Sequence, residues 1–187
     1  MRTPLGASRE RGGAPLWLAA AKCSNNLMNQ PDSRQFREVM SRFPTGVAVV
    51  SARASGSSLW GLTVNSFTSV SLDPPLILVC IDREAASHDK LIAAETFAVS
   101  VLAEDQADIA MRFAAEPAET RFEQVAWHEA SHGSPVLDGA AAWLECASSG
   151  VMPGGDHSIV LGRVIASGAS DNGALLFFRG DYGEVVT

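Results

Sequence analysis

Residues 61–76 constrain the fold more than any other part of the chain, because polar and apolar side chains interleave there. The segment reads GLTVNSFTSVSLDPPL, and a wholly apolar stretch continues from Leu76 to Ile81. Its polar side chains are Thr63, Asn65, Ser66, Thr68, Ser69 and Ser71. Since the apolar residues between them need a core, the segment predicts β-strands that bury some side chains and offer hydroxyls and backbone N–H groups elsewhere.

Two interpretations of this segment follow from its chemistry alone. A strand rich in Thr and Ser at the edge of a sheet is common in β proteins. Alternatively, hydroxyls and N–H groups on one face suit a flat ligand that has a polar edge and carries a phosphate.

Composition narrows the function classes. The chain has 187 residues, 47% hydrophobic and 19% charged, which predicts a globular protein with a sizeable core. Its formal net charge of −7 argues against nucleic acid as a partner, because phosphate backbones attract clustered Lys and Arg. No apolar run is long enough to predict a membrane span.

Three cysteines, Cys23, Cys80 and Cys146, lie far apart in the chain. Their odd number and wide spacing do not predict a disulfide framework, and this pattern is typical of proteins in a reducing compartment. We therefore expect a cytoplasmic location.

The N-terminal residues differ from the rest of the chain. Gly, Pro and Ser interrupt residues 1–32, and the apolar residues there show little helical or strand periodicity. We therefore expect a disordered tail at 1–32 before a single domain at 33–187. Residues 15–23 resemble a short lipoprotein signal, but Lys22 stands where a small residue should precede Cys23. One hypothesis is that the natural protein starts at Met28.

Periodicity predicts many short strands and few helices. Asp32 is a good N-cap for a helix through Phe43, with apolar residues at helical spacing. Further helices are predicted at 87–94 and 104–114. Strands are predicted at 47–52, 59–64, 67–72, 76–81, 97–102, 142–148, 158–166 and 175–179. This pattern favours a closed antiparallel barrel, and no glycine-rich phosphate loop of the common nucleotide folds is present.

Four sequence blocks resemble, in order, those of the flavin reductase family. They are residues 43–50, residues 61–76, Gly155-Asp156-His157 and residues 178–183. The resemblance runs from about Phe36 to Gly183. It implies a mainly β, Greek-key, FMN-binding split barrel with peripheral short helices. The implied activity is that of an NAD(P)H:flavin oxidoreductase, which reduces FMN or FAD by hydride transfer and supplies reduced flavin to a partner monooxygenase.

The resemblance also implies which residues hold the flavin ring. The set is Thr45, Gly46, Val47, Thr63, Val64, Asn65, Ser66 and Ser71. Gly46 permits a close backbone approach, although it also suits the end of the preceding helix. Donors along the ring edge stabilise the charge that develops there.

The phosphate end of the flavin is expected at Ser87 and His88, where a hydroxyl and a ring donor stand at a predicted helix start. His88 replaces a hydroxyl that is common in the family. Arg179 and Tyr182, the only tyrosine, form the last block and are expected to contact the flavin, or in the case of Tyr182 the pocket of a second copy.

His157 is the expected catalytic residue, and Asp156 and His157 are expected to bind the nicotinamide. An imidazole titrates near neutral pH, so it can hydrogen-bond the nicotinamide or steady the reduced ring. A structural role at the start of a strand is the alternative for this histidine.

One motif matches a different chemistry by letter. His128-Glu129-Ala130-Ser131-His132 has the pattern of a zinc protease, which needs both histidines on one helix face. Gly133 and Pro135 oppose a helix here, so no metal site is predicted.

Two other functions stay open from the sequence. One is a non-enzymatic flavin store or electron carrier, and the other is an oxidase acting on a phosphorylated pyridoxine-type substrate. The resemblance further implies a homodimer and a flavin-dependent oxygenase partner. The choices between FMN and FAD and between NADH and NADPH stay open.

Overall fold

The computed structural model describes residues 31–54 and 58–185. Residues 1–30 of the predicted tail, which include the lipoprotein-like segment and Met28, and residues 55–57 therefore lie outside the described residues. The chain divides into one unit ending at Phe36 and another beginning at Arg37, and the fold below is that of the second unit. No helix in the described part is long and apolar enough to cross a membrane.

Short helices and many strands make up the described residues. The helices are α1 (Ser33–Met40), α2 (His88–Ile92) and α3 (Ala107–Ala115). The strands are β1 (Thr45–Gly46), β2 (Ala48–Arg53), β3 (Leu59–Val64), β4 (Phe67–Leu72), β5 (Pro75–Asp82), β6 (Thr96–Val101), β7 (Trp127–Glu129), β8 (Pro135–Leu137), β9 (Ala142–Gly154), β10 (His157–Ala169), β11 (Leu176–Phe178) and β12 (Asp181–Gly183). The Asp32 carboxylate caps α1 by accepting the Gln35 N–H at 2.7 Å, as predicted.

Seven strands form one antiparallel sheet in the order β3-β2-β6-β9-β10-β5-β4. The two edge strands, β3 and β4, are consecutive in the chain but do not pair with each other. The sheet is therefore open between β3 and β4, in contrast to the closed barrel predicted from the strand pattern alone, and the predicted mainly β class is confirmed.

β9 and β10 form a hairpin of two 13-residue strands. The prediction ended the first strand at Ser148 and treated Pro153 to Asp156 as a turn, because Ser, Gly and Pro are common in turns. Instead, Pro153 and Gly154 pair with Ser158 and His157. Pairing along the whole hairpin outweighs local propensity, and the turn shrinks to two residues with Gly155 at φ +76°.

Two small sheets flank the large one. β1, β11 and β12 form a three-stranded sheet, and β7 and β8 form a two-stranded one. β1, β7, β8 and β12 were not predicted, because strands of two or three residues carry too little alternation to detect. Pro135, which opposes a helix, begins β8 and lies opposite Glu129.

β2 is buried on both faces and separates two hydrophobic cores. Ala48 and Val50 belong to the core inside the barrel, whereas Val47 and Val49 face a second core with α3. Consecutive strand residues point to opposite faces, so one strand supplies both cores. Each fully buried valine contributes about 1.5–3 kcal/mol relative to exposure.

Glu145 on β9 is a fully buried carboxylate that holds the loop between β7 and β8. It accepts hydrogen bonds from the N–H groups of His132 and Ser134 at 3.0–3.1 Å and from His132 Nδ1 at 3.0 Å. Burial alone would raise the pKa of Glu145, but these hydrogen bonds together lower it below its ordinary value.

We expect Glu145→Gln to lower the free energy of unfolding at neutral pH by about 2–3 kcal/mol, because charge-assisted hydrogen bonds are lost. Because the folded pKa is lowered, the contribution is complete above the ordinary glutamate value of about 4.3 and disappears as pH falls through the folded pKa. Urea unfolding of both proteins over a pH series measures the difference. Glu123→Gln, which alters an exposed carboxylate, is the control, and equal stability of Glu145→Gln and wild type at neutral pH would contradict the prediction.

Candidate functional site

A cavity of about 180 Å³ opens where β3 ends and the chain turns toward β4. Its walls come from three of the four sequence blocks. The lining residues are Val47, Thr63, Val64, Asn65, Phe177 and Tyr182. Five of these six residues were predicted as site residues; Phe177 was not, because it precedes the last block by one residue.

Strand pairing explains why these blocks meet. Thr45 on β1 lies opposite Phe177 on β11, and Phe177 lies opposite Tyr182 on β12. On the other side, Ala48 pairs with Val64, which brings the end of β3 beside the start of β2. The three-stranded sheet and the β3 edge therefore form facing walls of the cavity.

Two aromatic rings form one wall. The Phe177 and Tyr182 ring centroids are 5.5 Å apart with the planes tilted by 57°. Partial burial raises the pKa of Tyr182, so its phenol stays protonated at neutral pH. A neutral aromatic wall of this kind suits the face of a flat ligand.

Asn65 lines the cavity, whereas Thr45 and Gly46 do not line it but lie on β1 beside the lining residues Phe177 and Val47. The Asn65 side chain is exposed, and no described residue hydrogen-bonds its amide. Thr45 Oγ1 is buried without a hydrogen-bond partner among the described residues. At Gly46 an added Cβ would meet no atom within 4 Å, so the backbone borders open space. Unused polar atoms beside open space fit the polar edge of a flavin ring.

Other hydroxyls of the predicted set serve the fold. Thr63 Oγ1 donates to Ala110 O on α3 at 2.7 Å. Ser66 Oγ donates to Cys80 O at 2.7 Å and accepts the Cys80 N–H at 3.1 Å. Ser71 lies on edge strand β4 opposite Leu76, and it does not line the cavity. Their flavin-binding roles stay predictions, and the Ser66 hydroxyl has both of its hydrogen-bonding functions in use.

Ser87 and His88, predicted at the flavin phosphate, are both buried. Ser87 Oγ donates to Gly61 O at 3.1 Å. His88 uses Nδ1 toward Asp89 Oδ1 at 2.8 Å and Nε2 toward Ser158 Oγ at 2.9 Å. The structure thus offers neither side chain to a phosphate, and the predicted role stays a prediction.

Arg121 is a buried cation beside Ser87 that the predicted set omitted. Its Nη1 donates to Gly61 O at 2.7 Å and its Nε to Glu116 O at 2.9 Å. Desolvation lowers the pKa of Arg121, against the nearby charge of Glu119 that raises it. The arginine ties the turns after α3 to β3. The only sequence signal was the resemblance of Arg121-Phe122 to a family position.

Asp156 and His157 lie at the turn of the long hairpin. His157 Nδ1 donates to Asp156 Oδ1 at 2.7 Å, and this hydrogen bond, with the charges of His157 and Arg37, lowers the pKa of Asp156. Asp156 is exposed and His157 is partly exposed, so both are accessible to a ligand. Neither residue lines the cavity.

Arg179 occupies the tight turn between β11 and β12. Its φ is +55° and that of Gly180 is +92°, as in hairpin turns that favour Gly and Asn. The guanidinium carbon of Arg179 lies 5.3 Å from the centroid of the Phe178 ring. The backbone N–H of Arg179 donates to Ser41 O at 3.0 Å. Arg179 therefore sits two residues beyond the cavity-lining Phe177 and does not itself line the cavity.

The zinc-protease-like motif is not helical. His128 lies on β7, and His132 follows it in the turn before β8. His128 Nδ1 is 2.6 Å from Asp138 Oδ1, whereas His132 Nδ1 contacts Glu145. The prediction that no helix forms here is confirmed, and the two imidazoles bind different carboxylates.

Two larger clefts lie elsewhere on the surface. One, of about 580 Å³, borders α3 and the turns after it and includes Arg112 and Gln124. The other, of about 680 Å³, lies beside α2 and includes Lys90 and His132. Neither is lined by a predicted site residue, so size alone does not locate the functional site.

The chain has the split β-barrel fold that the family resemblance implied, with a small, aromatic-walled cavity at the end of β3. Residues 40–185 match the family model described as the flavin reductase like domain. The chain belongs to this family.

Curated relatives and solved structures agree with this family. The chain is 44% identical over 151 residues to the stachydrine N-demethylase reductase subunit of Rhizobium meliloti, covering 81% of this chain and 65% of the relative. It is 40% identical over 153 residues to a flavin reductase of Pseudomonas putida, and the match covers 81% of this chain and 89% of that protein. It spans only 48% of a second Rhizobium meliloti relative, a probable flavin reductase.

A solved structure with similar architecture carries ligands. The NADH:FAD oxidoreductase of Streptomyces globisporus, in complex with NAD and FAD fragments, superposes with a TM-score of 0.77 and 43% identity. The match covers 83% of this chain and 93% of that one.

Proposed function

We propose that this chain is an NAD(P)H:flavin oxidoreductase that reduces FMN or FAD and supplies reduced flavin to a partner flavin-dependent monooxygenase. One observation carries the proposal. The cavity at the end of β3 is lined by five residues that the family resemblance assigns to the flavin: Val47, Thr63, Val64, Asn65 and Tyr182.

The lining residues fit a flavin ring. The apolar Val47 and the aromatic wall suit its faces, and the Asn65 amide supplies donors and an acceptor for its polar edge. Gly46 leaves room for the ring to approach the β1 backbone. When bound, the flavin supplies the hydride-accepting centre, and the protein's task is to bind and orient it.

The cavity holds only part of such a ligand. Its 180 Å³ is smaller than the roughly 300–1,000 Å³ of a typical small-molecule site. One edge of the ring is therefore held while a face stays accessible. This geometry suits a flavin that exchanges as a substrate and leaves space for a nicotinamide beside it.

We propose that His157 and Asp156 act on the nicotinamide side. The Asp156 carboxylate orients the imidazole by accepting from Nδ1, which leaves Nε2 available for a ligand. Since His157 does not line the cavity, this role requires a ligand that extends beyond the cavity or the site of a second copy.

The comparisons favour particular ligands. A similar solved protein is described as an NADH:FAD oxidoreductase, so NADH and FAD are the first pair to test, with NADPH and FMN as alternatives. Relatives are described as reductase components of monooxygenases, which supports an oxygenase partner. We also propose a cytoplasmic location, since Cys80 and Cys146 are free thiols.

The activity is tested by mixing the purified protein with NADH or NADPH and with FMN or FAD, while following absorbance of the nicotinamide. We expect rapid oxidation that depends on added flavin. Tight flavin binding without nicotinamide oxidation would instead indicate a flavin store or electron carrier.

Two variants separate chemistry from binding. We expect His157→Ala to lower kcat with the nicotinamide about 10–100-fold, as loss of a hydrogen bond to a charged group implies, with little change in flavin Kd. Asn65→Ala is expected to raise flavin Kd with a smaller effect on kcat. Steady-state kinetics and fluorescence titration of flavin measure both. Parallel loss of binding and turnover in His157→Ala would indicate a structural role.

We further propose a homodimer, as the resemblance implies. On the outer face of the sheet, Leu78 lies opposite Leu161, and Cys80 lies opposite Ile159, which also pairs with Met152. These side chains are only partly buried, whereas their strand neighbours point into the core. A contiguous apolar face of this kind is rarely left exposed in a monomer, and it continues to His157.

The variant Leu161→Glu is expected to convert a dimer to monomers, because a carboxylate would be buried in the apolar interface. Sedimentation equilibrium measures the mass. Met111→Glu places the same charge on exposed α3 and serves as the matched control. A wild-type protein that sediments as a monomer would refute the homodimer.

A further inference from the structure

His88 is largely buried, and both of its ring nitrogens hydrogen-bond other residues of the protein. Its residue exposure is 7%, and each ring nitrogen has a partner. Nδ1 lies 2.8 Å from Asp89 Oδ1, and Nε2 lies 2.9 Å from Ser158 Oγ. A carboxylate only accepts, so Nδ1 carries the proton, and in the neutral ring Nε2 accepts the Ser158 hydroxyl.

Ser158 is the direct neighbour of His157. Because side chains alternate along a strand, Ser158 points into the core while His157 points to the outer face. Ser158 is 6% exposed, whereas the His157 side chain is 40% exposed. The hydrogen bond from His88 therefore holds Ser158, the residue next to His157, on the core side of β10.

Strand pairing on both sides and the His88 hydrogen bond together hold the start of β10. His157 is the first residue of β10 and follows the two-residue turn at the end of the hairpin. It pairs with Gly154 of β9 and Asp82 of β5, but both partners are the last residues of their strands, and strand ends open more readily than strand centres. A buried side-chain hydrogen bond to another element restricts this opening.

α2 is itself tied to the cavity wall. Ser87, the residue before His88, donates through Oγ to Gly61 O, and Arg121 donates to the same carbonyl. Gly61 lies on β3, three residues before Val64 of the cavity. A continuous path of hydrogen bonds and adjacent residues thus runs from the cavity wall through α2 to Ser158.

We propose that His88 is a positioning residue: its hydrogen bond to Ser158 holds His157 at a set place relative to the cavity for hydride transfer. The proposal rests on the proposed function for its effect on turnover. It replaces phosphate binding as the task of His88, because a ring that is buried and bonded at both nitrogens has no donor left for a ligand.

The test compares His88→Phe, which keeps a ring but loses both hydrogen bonds, with His88→Gln, whose amide can still reach Ser158. We expect His88→Phe to lower kcat about tenfold, as the loss of one hydrogen bond of about 1.4 kcal/mol implies, with flavin Kd changed less than about twofold. His88→Gln is expected to recover most of the turnover.

Ser158→Ala removes the other partner and keeps the proposal testable if His88→Phe fails to fold. The double variant is expected to lose no more turnover than either single variant, because both remove the same hydrogen bond. His128→Gln alters a histidine on β7, outside the large sheet, whose ring pairs with Asp138, and it should leave turnover unchanged.

Amide hydrogen exchange tests positioning independently of activity. We expect the amides of residues 157–160 to exchange faster in His88→Phe and in Ser158→Ala than in wild type, with no change in His128→Gln. If wild type oxidises no nicotinamide but this acceleration is seen, the proposed function fails and the anchoring of His157 stands.

Three results would overturn the proposal. A raised flavin Kd with unchanged kcat in His88→Phe would assign the residue to phosphate binding. Additive losses in the double variant would show that the two side chains act separately. Unchanged exchange at residues 157–160 would show that the hydrogen bond does not hold the strand.

Discussion

The unpaired corner between β3 and β4 is the constraint on which the rest of the structure depends. The two strands are consecutive and form opposite edges of the same sheet, yet they do not pair. Ser66 at the corner bonds both the N–H and the C=O of Cys80 on β5, so the corner is attached to β5 and not to β3. β3 pairs only with β2 among the described strands, so its other edge has no strand partner, and the cavity lies at the end of β3.

Buried polar groups hold the loops around this barrel in place. Glu145 binds the loop between β7 and β8, and Arg121 binds the turns after α3 to Gly61. A buried polar group is costly unless it is satisfied, so each such contact allows one arrangement of its loop. The bond between His88 and Ser158 belongs to the same class and places α2 under the start of β10.

Much of the fold could be predicted from the sequence where apolar alternation is strong. The predicted strands 59–64 and 67–72 coincide with β3 and β4. The prediction was wrong at residues 149–154, where turn-forming residues pair along the long hairpin. For the site, the convergence of Val47, Asn65 and Tyr182 agrees with the resemblance. The sequence could not show that the Ser66 and Ser87 hydroxyls have partners inside the protein, because hydrogen-bond partners far apart in the chain leave no local pattern.

By itself, the sequence determined the mainly β class, the order of the blocks and the family, because alternation and motif order are properties of neighbouring residues. Only the tertiary structure decided which polar side chains are left for a ligand. Asn65 and Ser66 are adjacent and both polar, yet Asn65 lines the cavity while Ser66 bonds Cys80. The physical reason is that each polar group binds the partner that folding brings to it, and these partners come from strands and helices distant in the chain.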